Sequence, residues 1–121
     1  NFLLMRIYHN TRCRKSREAL NYLNDKGYKV EIVKYLEKKL SSKDISELLK
    51  KINLSPKEII RKNEALWKKK YSKMDLNENE LIDILSNNPI LMERPIVEFK
   101  DFGVLARPIE NLFEFHQNVG K

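Results

Sequence analysis

His9-Asn10-Thr11-Arg12-Cys13-Arg14-Lys15-Ser16-Arg17 contains the only cysteine of the chain, with four cations around it. A thiol is a weak nucleophile until it loses its proton, and a neighbouring positive potential lets it do so near neutral pH. Arg12, Arg14, Lys15 and Arg17 supply such a potential, and His9 can donate a hydrogen bond or add charge. Ser16 stands fourth in a Cys-x-x-Ser, where a dithiol oxidoreductase carries its second cysteine. A hydroxyl can hydrogen-bond a thiolate but cannot close a disulfide with it. The chemistry open to this segment is attack by a single thiolate, with any resolving thiol supplied from outside. The competing reading is plainer: a lone cysteine is more often a small buried hydrophobe, and clustered cations more often a solvated helix face. The place of Cys13 among the secondary-structure elements weighs between the two.

Those elements are legible in the hydrophobic periodicity. Leu3–Tyr8 is an apolar run that predicts a central strand, broken at His9–Arg12. From Arg14 to about Asp25 the period becomes helical, with Ala19, Leu20 and Leu23 on one face, and Gly27 stands where a helix end favours a left-handed residue. Tyr28–Tyr35 alternates as a second strand, completing a parallel βαβ unit. Cys13 is thereby placed just past a strand and at the start of a helix, where free amide N–H groups and the helix dipole favour a thiolate. The middle predicts three helices. Ser41-x-x-Asp44 caps the first, Ser55-Pro56-Lys57-Glu58 signals the second, and Asn77-x-x-Glu80 opens the third. Arg61 falls in a basic stretch read as helical through Lys70. Ile96–Phe99, a turn over 100–103, and Val104–Ala106 read as a β-hairpin, and Pro108 starts a last helix carrying Ile109, Leu112, Phe113 and His116. His116 reads as core or as trim at that helix end. The order βα, β, ααα, ββα is a thioredoxin-like α/β arrangement: one domain over 1–121, with a helical insertion over about 41–88.

Composition narrows the class. With 121 residues, 41% hydrophobic and 34% charged, the chain suits one soluble globular domain that needs no staples. A single cysteine excludes an internal disulfide framework and a cysteine-rich zinc site, and no metal site is expected. It also suits a reducing compartment, so the expected location is cytoplasmic. No run approaches the length of a membrane span, and no membrane partner is expected. The net charge of +7 suggests an anionic partner. Nucleic acid is not the expected one, because the cations are dispersed without interleaved aromatics or a known module. An Asp101-Phe102-Gly103 tripeptide lacks the Gly-rich loop and catalytic loop of a kinase.

Five motifs in collinear order go further. They are Ile7-Tyr8-His9-Asn10-x-x-Cys13-x-x-Ser16-Arg17, Tyr35-Leu36-Glu37, Ile60-Arg61-Lys62-Asn63, Asn88-Pro89-x-Leu91-x-x-Arg94-Pro95-Ile96-Val97 and Arg107-Pro108. Together they resemble the glutaredoxin-dependent arsenate reductase family over nearly the whole chain. That resemblance implies that Cys13 attacks arsenate, that Arg61, Arg94 and Arg107 bind the oxyanion, and that His9 helps depress the cysteine pKa; Ser16, by its hydroxyl, and Arg17, by its charge, are the further thiolate-tuning candidates read from the residues themselves. It implies glutathione as co-substrate and glutaredoxin as the protein that takes the mixed disulfide, with no bound cofactor. It also implies a cis peptide before Pro95. The physical fit is direct, since guanidinium forks offer charge and paired donors to a tetrahedral dianion.

The loop departs from the better-known reductases, which tend to have Pro at position 11, a small residue at 12 and Gly at 14. Here Thr11, Arg12 and Arg14 make it bulkier and more basic. An arginine at position 12 also occurs in reductase-like members of unassigned function. The wider family includes Spx-type transcriptional regulators, which act through RNA polymerase. A regulator of that kind, or a reductase-like member without arsenate activity, is the alternative reading.

Overall fold

The computed structural model describes residues 4–119, and these fall into two compact units, 4–35 with 94–119, and Leu36–Glu93. Leu3, assigned above to the first strand, lies outside the described residues.

The first unit is built on a four-stranded sheet in the order β2-β1-β3-β4. Its strands are β1 (Leu4–Tyr8), β2 (Lys29–Val33), β3 (Ile96–Phe99) and β4 (Phe102–Leu105). β1 is an inner strand, as its apolar run predicts. It runs parallel to β2 with Ile7 opposite Ile32, and antiparallel to β3 with Ile7 opposite Val97. Side chains alternate across a sheet, so Met5, Ile7, Val97 and Phe99 share one face. There they form a buried core with Ala19 and Leu23 of α1 (Arg14–Asp25), with Leu112 of α4 (Glu110–Asn118), and with Ala106. The opposite face of the same strands carries charge. Arg6 pairs with Glu31 at 2.7 Å and with Glu98 at 3.0 Å, and the Tyr8 hydroxyl donates to Glu98 at 2.6 Å. Glu98 is buried, and these donors offset its desolvation. Gly27 ends α1 with φ of 84°, the left-handed conformation that glycine adopts without a Cβ penalty.

Three boundaries differ from the sequence reading. The second strand stops at Val33 instead of Tyr35. The hairpin turn is two residues, Lys100-Asp101, with Phe102 and Gly103 already paired in β4. Lys100 takes the positive φ of 57° that such tight turns need, which a Gly-based turn signal at 103 misplaces. The last helix starts at Glu110 rather than at Pro108, which follows Arg107 through a cis peptide. The Arg94–Pro95 peptide is cis, as the resemblance implied.

The second unit holds α2 (Ser42–Ile52) and α3 (Glu78–Asn87), which pack on each other. Both start with reciprocal capping boxes, Ser41 with Asp44 and Asn77 with Glu80. Ile45, Leu48, Leu49 and Ile52 of α2 and Leu81 and Leu85 of α3 are buried. The middle helix of the predicted three is absent. Ser55-Pro56 opens only a 3-10 turn over Pro56–Ile59, after which Ile60 leaves the helical region and bridges Met92. That bridge is reinforced by Arg61 N–H to the Leu91 carbonyl and Glu93 N–H to the Ile59 carbonyl, both at 2.7 Å. Arg61 therefore lies outside any helix, and the basic run Lys68–Lys70 belongs to a short π turn, Trp67–Tyr71. A long-range backbone pairing overrides the local start signal here. Among the described residues no helix is long and apolar enough to cross a membrane.

Candidate active site

β1 ends at Tyr8, and the chain turns through Asn10–Cys13 into α1. Two bonds to Asn10 shape that turn: Cys13 N–H donates to its carbonyl and Arg12 N–H to its side-chain Oδ1, each at 3.0 Å. Cys13 is the N-cap of α1, with extended φ and ψ of −92° and 119°, and its carbonyl accepts from Arg17 N–H. An N-cap side chain faces the unpaired amides of the first helical turn. The half-buried sulfur stands at that position without making a side-chain cap hydrogen bond. Partial burial pushes the Cys13 pKa up. The nearby Arg94 guanidinium and the Ser16 and Lys15 N–H groups of the first helical turn outweigh it by favouring the thiolate, leaving the pKa below the ordinary thiol value.

Arg94 is the dominant cation, and it arrives from the loop before β3, distant in sequence. Its Nε and Nη1 atoms are buried with no hydrogen-bond partner. A buried unsatisfied donor costs about 1–3 kcal/mol, more when charged, so such atoms call for an acceptor that a bound anion would provide. Arg107, from the loop after β4, places Nη1 at 4.0 Å from the Cys13 sulfur and donates from the same atom to the Arg94 carbonyl at 3.3 Å. Thiol and two guanidinium groups thus converge within the first unit.

His9 and Ser16 form the strut beneath this centre. Both are buried, and His9 Nδ1 lies 2.5 Å from the Ser16 hydroxyl, which also accepts from Asn10 N–H. With Asn10 N–H on one lone pair, that hydroxyl can donate to Nδ1 of the tautomer protonated at Nε2 or accept from Nδ1–H of the other. Burial, then the charges of Arg17 and Lys34, push the His9 pKa down. His9 thus braces the turn as a neutral ring instead of adding charge. Ser16 favours the thiolate through its backbone N–H in the first helical turn, while its hydroxyl is engaged by His9 and Asn10.

The remaining predicted residues sort by partner. Arg17 Nη1 donates to the Thr11 carbonyl at 2.9 Å and so lies over the cysteine loop. Arg14 pairs with Glu18 and is largely exposed, a solvated helix-face residue. Arg61 belongs to the second unit, where Nε meets Glu64 at 3.3 Å and Nη1 meets Glu93 at 3.1 Å. His116, read as core or trim, is half-buried and accepts from or donates to the Tyr28 hydroxyl at 2.7 Å. Among the described residues no group of three His, Cys, Asp or Glu side chains is gathered to hold a metal ion. Sequence reasoning from the residues alone missed Asn10, although Asn followed by a two-residue turn is a known signal.

Comparison with known proteins fits this geometry. Residues 8–115 match the model of the ArsC family. The chain belongs to the ArsC family. It is 36% identical over 110 residues to an arsenate reductase of Haemophilus influenzae, covering 89% of this chain and 95% of that protein. It is 40% identical over 112 residues to the Escherichia coli K12 protein YfgD, whose name assigns no activity, covering 91% of this chain and 94% of that one. Among solved structures it resembles the arsenate reductase from Vibrio cholerae, with a TM-score of 0.88, 32% identity, and coverage of 94% of this chain and 98% of that one. The thioredoxin-like α/β fold of this ArsC family member is thereby shared with named reductases.

Proposed function

We propose that this ArsC family protein is a cytoplasmic thiol-dependent oxyanion reductase that converts arsenate to arsenite. The observation that carries the reading is the Arg94 guanidinium, which favours the Cys13 thiolate while its Nε and Nη1 lie buried without partners. The names of the relatives support the substrate class. In the proposed cycle the Cys13 thiolate attacks As(V), an S–As bond forms, and one arsenate oxygen leaves as water. Arg94 and Arg107 neutralise the dianion, which lessens its repulsion from the thiolate, and offer donors to the charge that develops. Glutathione thiolate then attacks the Cys13 sulfur. The S–As bonding pair stays on arsenic, which is reduced to As(III) and leaves as arsenite, while the two sulfurs are oxidised to a mixed disulfide. Glutaredoxin takes the glutathione moiety by thiol–disulfide exchange and returns the Cys13 thiol. His9, Ser16 and Arg17 hold the loop that sets the sulfur.

Cys13→Ser is expected to abolish arsenate reduction in an assay coupled to glutathione, glutaredoxin and glutathione reductase. Wild-type protein without activity at excess coupling enzymes would overturn the assignment.

A further inference from the structure

The net charge of +7 is spread unevenly, and one dense cluster of cations lies in the second unit. Lys68, Lys69 and Lys70 are carried by the π turn Trp67–Tyr71, and Lys73 comes just after its cap at Ser72. All four lysines are exposed, and among the described residues none of them pairs with a carboxylate. The backbone beneath them is well ordered by hydrogen bonds. Ser72 N–H donates to the Trp67 carbonyl at 2.9 Å, the Ser72 hydroxyl to the Lys68 carbonyl at 2.8 Å, and Met74 N–H to the Tyr71 carbonyl at 3.0 Å. Tyr71 is buried and Trp67 packs on it, with ring centroids 5.9 Å apart. Side chains four apart share a helical face, while successive ones fan out by about 100°. The stacked rings thus hold one side of the turn, and Lys68–Lys70 spread over the rest. Four uncompensated charges on one ordered turn attract a compact anionic partner.

We propose that this lysine turn is a docking surface for a short acidic segment of a partner protein, one rich in Asp and Glu. The reading does not depend on the chemistry of Cys13. Three features select that occupant. Lysine ammonium groups on flexible stems supply charge without fixed geometry, which suits a segment recognised by its charge density. Tyr71 is buried and Trp67 leans on it, so no pair of open rings is presented to successive nucleobases. The positive run is bordered by exposed Asp75 and Glu78. A uniformly anionic lipid surface would meet those carboxylates too, whereas a linear acidic segment can end where the lysines end.

The test is fluorescence anisotropy of a labelled oligoglutamate peptide and its oligoglutamine counterpart, titrated with the full chain. Wild type should bind the oligoglutamate peptide alone at low ionic strength, with affinity falling about tenfold or more at high salt. Lys68→Glu/Lys70→Glu should weaken binding at least about tenfold, with the circular dichroism spectrum unchanged. Lys38→Glu/Lys43→Glu makes the same change in net charge at exposed positions. Their neighbours Lys39 and Ser42 meet Asn87 and Asp83 in the C-terminal half of α3, whereas the lysine turn leads into its N-terminus. That control should weaken binding by no more than about twofold. Amide resonances of residues 67–74 should shift as the peptide is added. Equal losses in the two variants, shifts confined to other residues, or no binding by wild type at low salt overturn the proposal. Oligothymidylate or phosphatidylserine vesicles that bind more tightly than the peptide, and lose that binding in Lys68→Glu/Lys70→Glu, assign the turn to nucleic acid or membrane and overturn the acidic segment.

Discussion

Arg94 and Arg61 are both half-buried arginines expected at the oxyanion, yet they have opposite electrostatic surroundings. Arg61 in the second unit meets two carboxylates, Glu64 and Glu93. Among the described residues Arg94 in the first unit pairs with no carboxylate, and it leaves two buried nitrogens without partners beside a sulfur. A guanidinium already neutralised by its neighbours gains less from an added anion than one that is not. Residue type and position in a motif therefore do not fix how much an arginine contributes; its local charge balance does.

This contrast can be broken by substitution, beginning with the largest effect. Arg94→Ala should lower kcat/KM for arsenate by about 100-fold or more, the scale for losing a donor to developing charge. The same change should move the Cys13 pKa upward, measured by thiolate absorbance, because burial then acts against fewer stabilising groups. An unmoved Cys13 titration would assign the thiolate to the helix amides alone. Arg61→Ala should cost less, within about tenfold and expressed mainly in KM, since two carboxylates already balance its charge. A loss equal to that of Arg94→Ala would show that the two arginines share one role despite their different partners.

The smallest effect concerns His9. Its pKa in the fold lies below the ordinary histidine value, chiefly through burial. In the window between the two values the unfolded chain binds the extra proton, so stability rises with pH through it and falls as pH drops below the unfolded pKa of about 6.5. His9→Gln should flatten that acid limb in denaturant titrations followed across pH. The variant keeps a polar partner for Ser16, so the loss at neutral pH should be modest. An acid limb as steep as the wild type would place the protonation elsewhere.

Local elements were the most legible part of the fold. The apolar run of β1, the stripe of Ala19 and Leu23, and Gly27 fix a strand–loop–helix segment from neighbours only a few residues apart, and the capping residues Ser41 and Asn77 do the same for α2 and α3. The 3-10 turn at Pro56–Ile59 was not legible as such, because its fate depends on the Ile60–Met92 bridge across 32 positions. The same limit applied to Cys13. Its place at the N-cap followed from the sequence, but the cations next to it in the chain were not the ones that matter most to its sulfur.

The sequence by itself thus determined a solitary thiol at a helix N-terminus, without an internal cysteine to resolve it. Periodicity and capping are short-range properties, and the cysteine count is absolute. Tertiary structure alone decided which cations reach that thiol. Pairing of β1 with β3 and β3 with β4 brings the loops carrying Arg94 and Arg107 to Cys13 across more than 80 positions of the chain. That pairing is held by the shared core of Met5, Ile7, Val97 and Phe99, so apolar burial positions the charges of the candidate site.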